Sequence, residues 1–230
     1  MYKIMKEQKS VRIGVALFFI SLTTAFQAQT IAEKQPDLKS TPINMEMMLG
    51  RRGIYYQVMV NKKFKSIPKL GFFSITNGNA PWEKEMTPDI MTQSHITYTL
   101  LRGLEVTTGL QYTPVYGFRP VASLIYSYST PEFTIVANPK IDLASDWASE
   151  NMLLIEYRPK INDNWSWYGR AQGLYGFVPS SGDHNRSYIY LRAGLSYKEF
   201  SFGLGSNFEW YGPIKHNENS IGLFASVLVF

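Results

Sequence analysis

The sequence predicts an all-β chain: a closed antiparallel up-and-down transmembrane β-barrel of about twelve strands over 44–230. A signal peptide (1–28) and a short polar segment (29–43) precede it. Three observations carry this prediction. The chain opens with a basic, then apolar leader of export length. The rest alternates polar and apolar residues with period two, in runs longer than the five or six residues of an ordinary strand. The connections between those runs alternate between short and mostly long.

The leader places Lys3, Lys6, Lys9 and Arg12 ahead of the apolar run Ile13–Phe26, which is too short for a comfortable helical span. It holds four of the 23 basic residues and one of the 18 acidic ones, so the net charge of +5 falls to about +2 once it is removed. No basic cluster larger than Lys62, Lys63 and Lys65 remains, which argues against nucleic-acid binding. The chain has no cysteine, which excludes disulfides, thiolate nucleophiles and zinc–thiolate sites.

The expected strands are 44–50, 54–61, 68–76, 92–101, 104–113, 118–129, 131–138, 151–158, 165–177, 187–197, 200–210 and 219–230. If 44–61 were one bent strand, the count would be odd and the loop parity would fail. In 104–113, Leu104, Val106, Thr108, Leu110 and Tyr112 oppose Glu105, Thr107, Gly109, Gln111 and Thr113. In 165–177 the polar face is Ser166, Tyr168, Arg170, Gln172 and Leu174. In 187–197, Ile189, Leu191, Ala193 and Leu195 oppose Tyr188, Tyr190, Arg192, Gly194 and Ser196. In 200–210, Phe200, Phe202, Leu204 and Phe208 oppose Ser201, Gly203, Gly205, Asn207 and Glu209. Both faces of 219–230 are apolar, so its outward side stays open at this point. The rings gather near the ends of the apolar runs, as interfacial girdles do. In hydrocarbon a sheet pairs every backbone group only by closing on itself.

The short connections are Lys62–Ile67, Arg102-Gly103, Thr130, Pro159–Asn164 and Lys198-Glu199. The opposite class holds Asn77–Met91, Pro139–Glu150, Val178–Arg186 and Tyr211–Glu218, with Arg51–Gly53 and Pro114–Gly117 as short exceptions. The last strand, Ser220–Phe230, ends on an aromatic residue. On these features the chain resembles the small outer-membrane β-barrel proteins of Gram-negative bacteria. The resemblance implies an outer-membrane location, contact with membrane lipid and lipopolysaccharide, and Phe230 as the signal read by the barrel-assembly machinery. A porin-like channel passing small solutes and a structural or interaction barrel are both compatible with it.

Candidate functional residues follow from the inward faces. Glu105, Glu156, Arg158, Arg170, Arg192 and Glu209 are expected in the lumen, pairing across it, with Gly109, Gly173, Gly194, Gly203 and Gly205 leaving them room. The loop Asn77–Met91, with Trp82, Glu83, Lys84, Glu85, Met86 and Asp89, is expected to be solvated; contact with a partner and folding into the mouth as a constriction are the lesser readings. Ser, Asp and His gather in the segment 180–187, where Asp183, His184 and Ser187 are the weak candidates for a hydroxyl nucleophile, a base and an orienting group. The loop resembles that of the outer-membrane phospholipase family but lacks its His-x-Ser-Asn-Gly order. The preferred reading is an ordinary loop on a non-enzymatic protein, with Arg186 on lipopolysaccharide phosphates. A metal held by Asp183, His184 and His216 is not enforced by any spacing, and no motif points to a cofactor: Gly203-Leu-Gly205 lies inside a strand with no helix behind it. A lipid-modifying hydrolase and a secreted soluble β-sandwich are the alternatives.

Overall fold

A computed structural model describes residues 41–83, 89–144 and 146–230. The expected signal peptide and most of the polar segment lie outside the described residues. Twelve strands follow one another: β1 (Ile43–Gly50), β2 (Gly53–Phe64), β3 (Ile67–Pro81), β4 (Asp89–Leu101), β5 (Leu104–Thr113) and β6 (Gly117–Ser129). The second half comprises β7 (Phe133–Asp142), β8 (Ser149–Tyr157), β9 (Trp165–Phe177), β10 (His184–Tyr197), β11 (Phe200–Tyr211) and β12 (His216–Val229). Each pairs antiparallel with its neighbours in the chain. β12 pairs with β1 from Ile43↔Val229 to Gly50↔Gly222, closing the ring. The first eighteen expected residues are two strands turned by Arg51 and Arg52, so the count is even. The soluble sandwich is thereby corrected: the sheet closes on itself and leaves no second sheet to pack against.

Period-two burial fixes the faces. On β12, Ile221 and Leu223 are 63% exposed and Phe224 is 3% exposed, so the side left open by sequence is settled: Phe224 faces inward. Outward aromatic residues cluster at both rims. Trp165 lies 5.0 Å from Tyr197 and 6.2 Å from Phe202 at the turn end; Tyr112 and Phe118 lie 4.8 Å apart at the loop end. An apolar band between two such rims is the surface a bilayer solvates.

Strand bounds depart from the expectation most in β3, which runs five residues past the expected end at Thr76 into the expected loop, and in β7, which runs four residues past the expected end at Asn138. The expectation stopped at Asn138 because proline cannot donate to a ladder. The β6–β7 ladder does break around Pro139, between Ser123↔Lys140 and Tyr126↔Ala137. Asn138 Nδ2 donates to the Leu124 carbonyl at 2.8 Å, supplying the donor that the proline lacks.

Candidate functional site

Two places concentrate chemistry: the lumen and the loop end of β10. All six expected lumen residues project from inward positions or the adjoining turn. Glu105, Arg170 and Arg192 pair with strands further around the wall. Glu156 and Arg158 instead pair with each other, and Glu209 with Arg186 on the neighbouring strand, which corrects the expected pairing across the lumen for these three. Glu46 on β1 is the hub that sequence reading missed. Arg170 Nη2 lies 2.7 Å from its Oε2 and Arg192 Nη2 2.8 Å from its Oε1, with all three side chains 0–1% exposed. Arg192 also donates to Asn207 Oδ1 at 2.9 Å, and its guanidinium lies over the rings of Tyr55, Tyr190 and Phe224. The planar fork suits both contacts, carboxylate at its edge and rings at its faces. Gly205 leaves the room this side chain occupies, since a Cβ there would meet Met48 and Arg192.

Further ties close the rest of the interior. Gln57 on β2 meets Gln172 on β9, and Gln172 donates to the Tyr188 hydroxyl at 3.0 Å. Lys140 on β7 pairs with Glu150 at 2.5 Å and reaches Gln93 on β4 at 3.2 Å. Between these layers lies a cavity of about 20 Å³ lined by Ile75, Met91, Gln93, Lys140, Glu150 and Tyr188, room for roughly one water. Toward the turn end, Glu105 pairs with Lys63 at 2.8 Å, and Glu156 pairs with Arg158 at 2.8 Å and accepts from the Tyr168 hydroxyl.

At the loop end Arg186 corrects an expectation. Its guanidinium points inward, 2.8 Å from Asp89 Oδ2 and 3.2 Å from Glu209 Oε1, and is therefore occupied rather than offered to lipopolysaccharide. Tyr211 donates to Asp89 at 2.9 Å and Tyr190 donates to Glu209. Asp89 thus reaches into the mouth, where solvation was expected; Lys84, Glu85 and Met86 of the same loop lie outside the described residues. Gly173 is a second correction: it sits on the outward face of β9, between inward Gln172 and the inward-leaning Leu174, and gives the lumen no room.

The second place is built by a β-bulge. Ser187 pairs with Tyr175 and His184 with Phe177, so Asn185 and Arg186 together oppose Gly176. Residues three apart in a regular strand lie on opposite faces. The extra residue brings His184 and Ser187 to the same outward face. Gly176 makes the bulge possible, because a Cβ there would press on the Arg186 carbonyl oxygen. His184 Nε2 lies 2.9 Å from Ser187 Oγ and its Nδ1 2.7 Å from the Gly212 carbonyl oxygen. The Gly212 N–H returns a 2.7 Å bond to the Asn185 carbonyl, clamping the β11–β12 turn onto the bulge.

Asp183 is not the orienting group. Its side chain is exposed, and the Gly212 carbonyl takes the place expected for it, because the bulge turns Nδ1 toward the β11–β12 turn. His184 has both ring nitrogens engaged, while His216 is 66% exposed beside Glu218, so Asp183, His184 and His216 are not brought together. Among the described residues no group of three or more His, Cys, Asp or Glu side chains converges.

No protein-family model and no curated protein matches the chain. Solved structures with some likeness include the NanC porin (TM-score 0.46, 10% identity, 83% of this chain and 100% of that one). The KdgM porin follows (0.45, 9%, 81% and 98%), and LpxR from Salmonella typhimurium (0.40, 9%, 83% and 100%). Likeness this distant carries no argument about this chain, whose barrel rests on its own hydrogen-bond ladders.

Proposed function

We propose that the chain is a Gram-negative outer-membrane β-barrel whose lumen is sealed by its own side chains, a structural or interaction barrel that works through its wall and loop end rather than as a channel. The observation that carries this reading is the set of ties across the interior: Glu46 to Arg170 and Arg192, Gln57 to Gln172, and Arg186 to Asp89. Each joins strands three to six places apart around the ring of twelve. A solute path would have to part several of them at once. The lipid-type outer wall and the aromatic rims support the membrane location. Export through residues 1–28, contact with membrane lipid and lipopolysaccharide, and assembly through β12 and Phe230 belong to the same proposal.

Conductance across planar bilayers tests it. Protein that shifts in electrophoretic mobility on boiling, and so is closed, is expected to give no steady single-channel steps. Reproducible steps from such protein overturn the sealed-lumen reading and restore the porin-like channel.

A further inference from the structure

We propose that Ser187 and His184 form the nucleophile and general base of an acyl hydrolase that faces the membrane and cleaves acyl esters of its lipids. The proposal rests on the membrane reading above and goes beyond it, since the sequence alone favoured an ordinary loop.

The hydrogen bonds fix the roles. A carbonyl oxygen only accepts, so Nδ1 of His184 carries a proton and donates it to Gly212 O. In the neutral ring Nε2 is then bare and accepts the Ser187 hydroxyl proton across 2.9 Å. A hydroxyl held against a base, with that base oriented by a third group, is the arrangement that activates serine. Here the third group is a main-chain carbonyl, set by Gly212 at φ +66° in the left-handed region. The Tyr175 ring, 5.7 Å from that of His184, packs beside the pair.

The surroundings specify the substrate class. Ser187 pairs with Tyr175 on one side and Trp210 on the other, which sets it at the depth of the outward aromatic rim. Such rings lie at headgroup level, next to the boundary where membrane lipids carry their acyl esters. From Ser187 a groove of about 510 Å³ runs over the outer wall, floored by Ala171 and Gly173 and walled by Leu153, Ile155 and Ile189. It faces the hydrocarbon and matches an acyl chain in chemistry.

The reaction balances without a co-reactant other than water. Ser187 Oγ bonds to the ester carbonyl carbon as its proton passes to Nε2. The ester C–O bond then breaks, and the leaving alcohol takes that proton. Water adds to the acyl-serine, giving a proton to Nε2. The Oγ–C bond breaks, Oγ recovers the proton, and a fatty acid leaves.

The test uses the chain purified from outer membranes in detergent, with its mobility shift on boiling recorded for every sample. It is treated with a fluorophosphonate, which reacts with activated serines, and mapped by mass spectrometry. In parallel it is incubated with phosphatidylethanolamine in one arm and hexa-acylated lipid A in the other. The expected result is an adduct on Ser187 and fatty acid released in at least one arm, the arm identifying the lipid. Ser187→Ala should keep the mobility shift, lose the adduct and lower the release by roughly 100-fold or more. His184→Asn should lower both labelling and release. Shifted wild-type protein with no adduct on Ser187 and no release overturns the proposal, as does release undiminished in Ser187→Ala. Protein that does not shift on boiling overturns the barrel reading beneath it instead.

Discussion

Arg186 on β10 and Asp89 on β4 meet across the full width of the barrel, Nη2 to Oδ2 2.8 Å apart, although their strands stand six places apart in the ring. Nearer the middle, Glu46 makes a second closure with Arg170 and Arg192. The two are independent, sharing no residue. Removing one should therefore leave the lumen shut: Asp89→Ala is expected to remain silent in planar bilayers. Steady conductance from that variant would show that the mouth tie alone seals the barrel.

Glu46→Ala strands two buried guanidinium groups without their carboxylate. Breaking a buried pair by removing one partner costs on the order of 3–5 kcal/mol. The variant should unfold at lower guanidinium concentration, while Glu46→Gln, which keeps hydrogen-bond acceptance but not the charge, should fall between it and the wild type. A wild-type midpoint for Glu46→Ala would show that the knot is stabilised from elsewhere.

Asn138→Ala removes the donor that serves the Leu124 carbonyl beside Pro139. An unpaired acceptor in the wall costs about 1–3 kcal/mol. Pro139→Ala restores a backbone N–H at that point of the ladder, so the double variant should lose less stability than Asn138→Ala alone. The comparison is a double-mutant cycle in denaturant, and additive losses would refute the substitution of one donor for the other.

Gly212→Ala has space for its methyl group, since nothing lies within 4 Å of it, but not the conformation. A left-handed backbone costs an alanine about 1–2 kcal/mol. The turn should relax and draw its carbonyl away from His184. Fluorophosphonate labelling of Ser187 is then expected to slow several-fold while the mobility shift on boiling persists. Unchanged labelling would show that the carbonyl does not set the ring.

The alternation of side chains made most of the barrel legible in the sequence. β5 and β9 have the bounds expected of them, because both ends of each run meet turn residues and neither run is interrupted. Glu46 was hidden in a short run of methionines, although Asn44, Glu46, Met48 and Gly50 form one face and could have revealed it. Arg186 and the His184–Ser187 contact lay beyond alternation, since a bulge shifts parity and no residue type announces one. The ties across the lumen were out of reach for a different reason. Alternation says which residues point inward, and strand order says which neighbours they have, but which opposite side chains meet depends on the tilt and radius of the closed ring.

Glu46 has a consequence for the order of events in assembly. It stands on the first strand, while its partners Arg170 and Arg192 lie 124 and 146 residues further along the chain. Until β9 and β10 have been laid down beside the rest, that carboxylate has no counter-charge inside the wall. A ring closed without β9 and β10 would leave it bare in a low-dielectric interior, a state disfavoured by several kcal/mol. Contacts so distant in sequence form late and together. The same knot that fills the finished barrel therefore disfavours any ring closed without the two strands that carry its guanidinium groups.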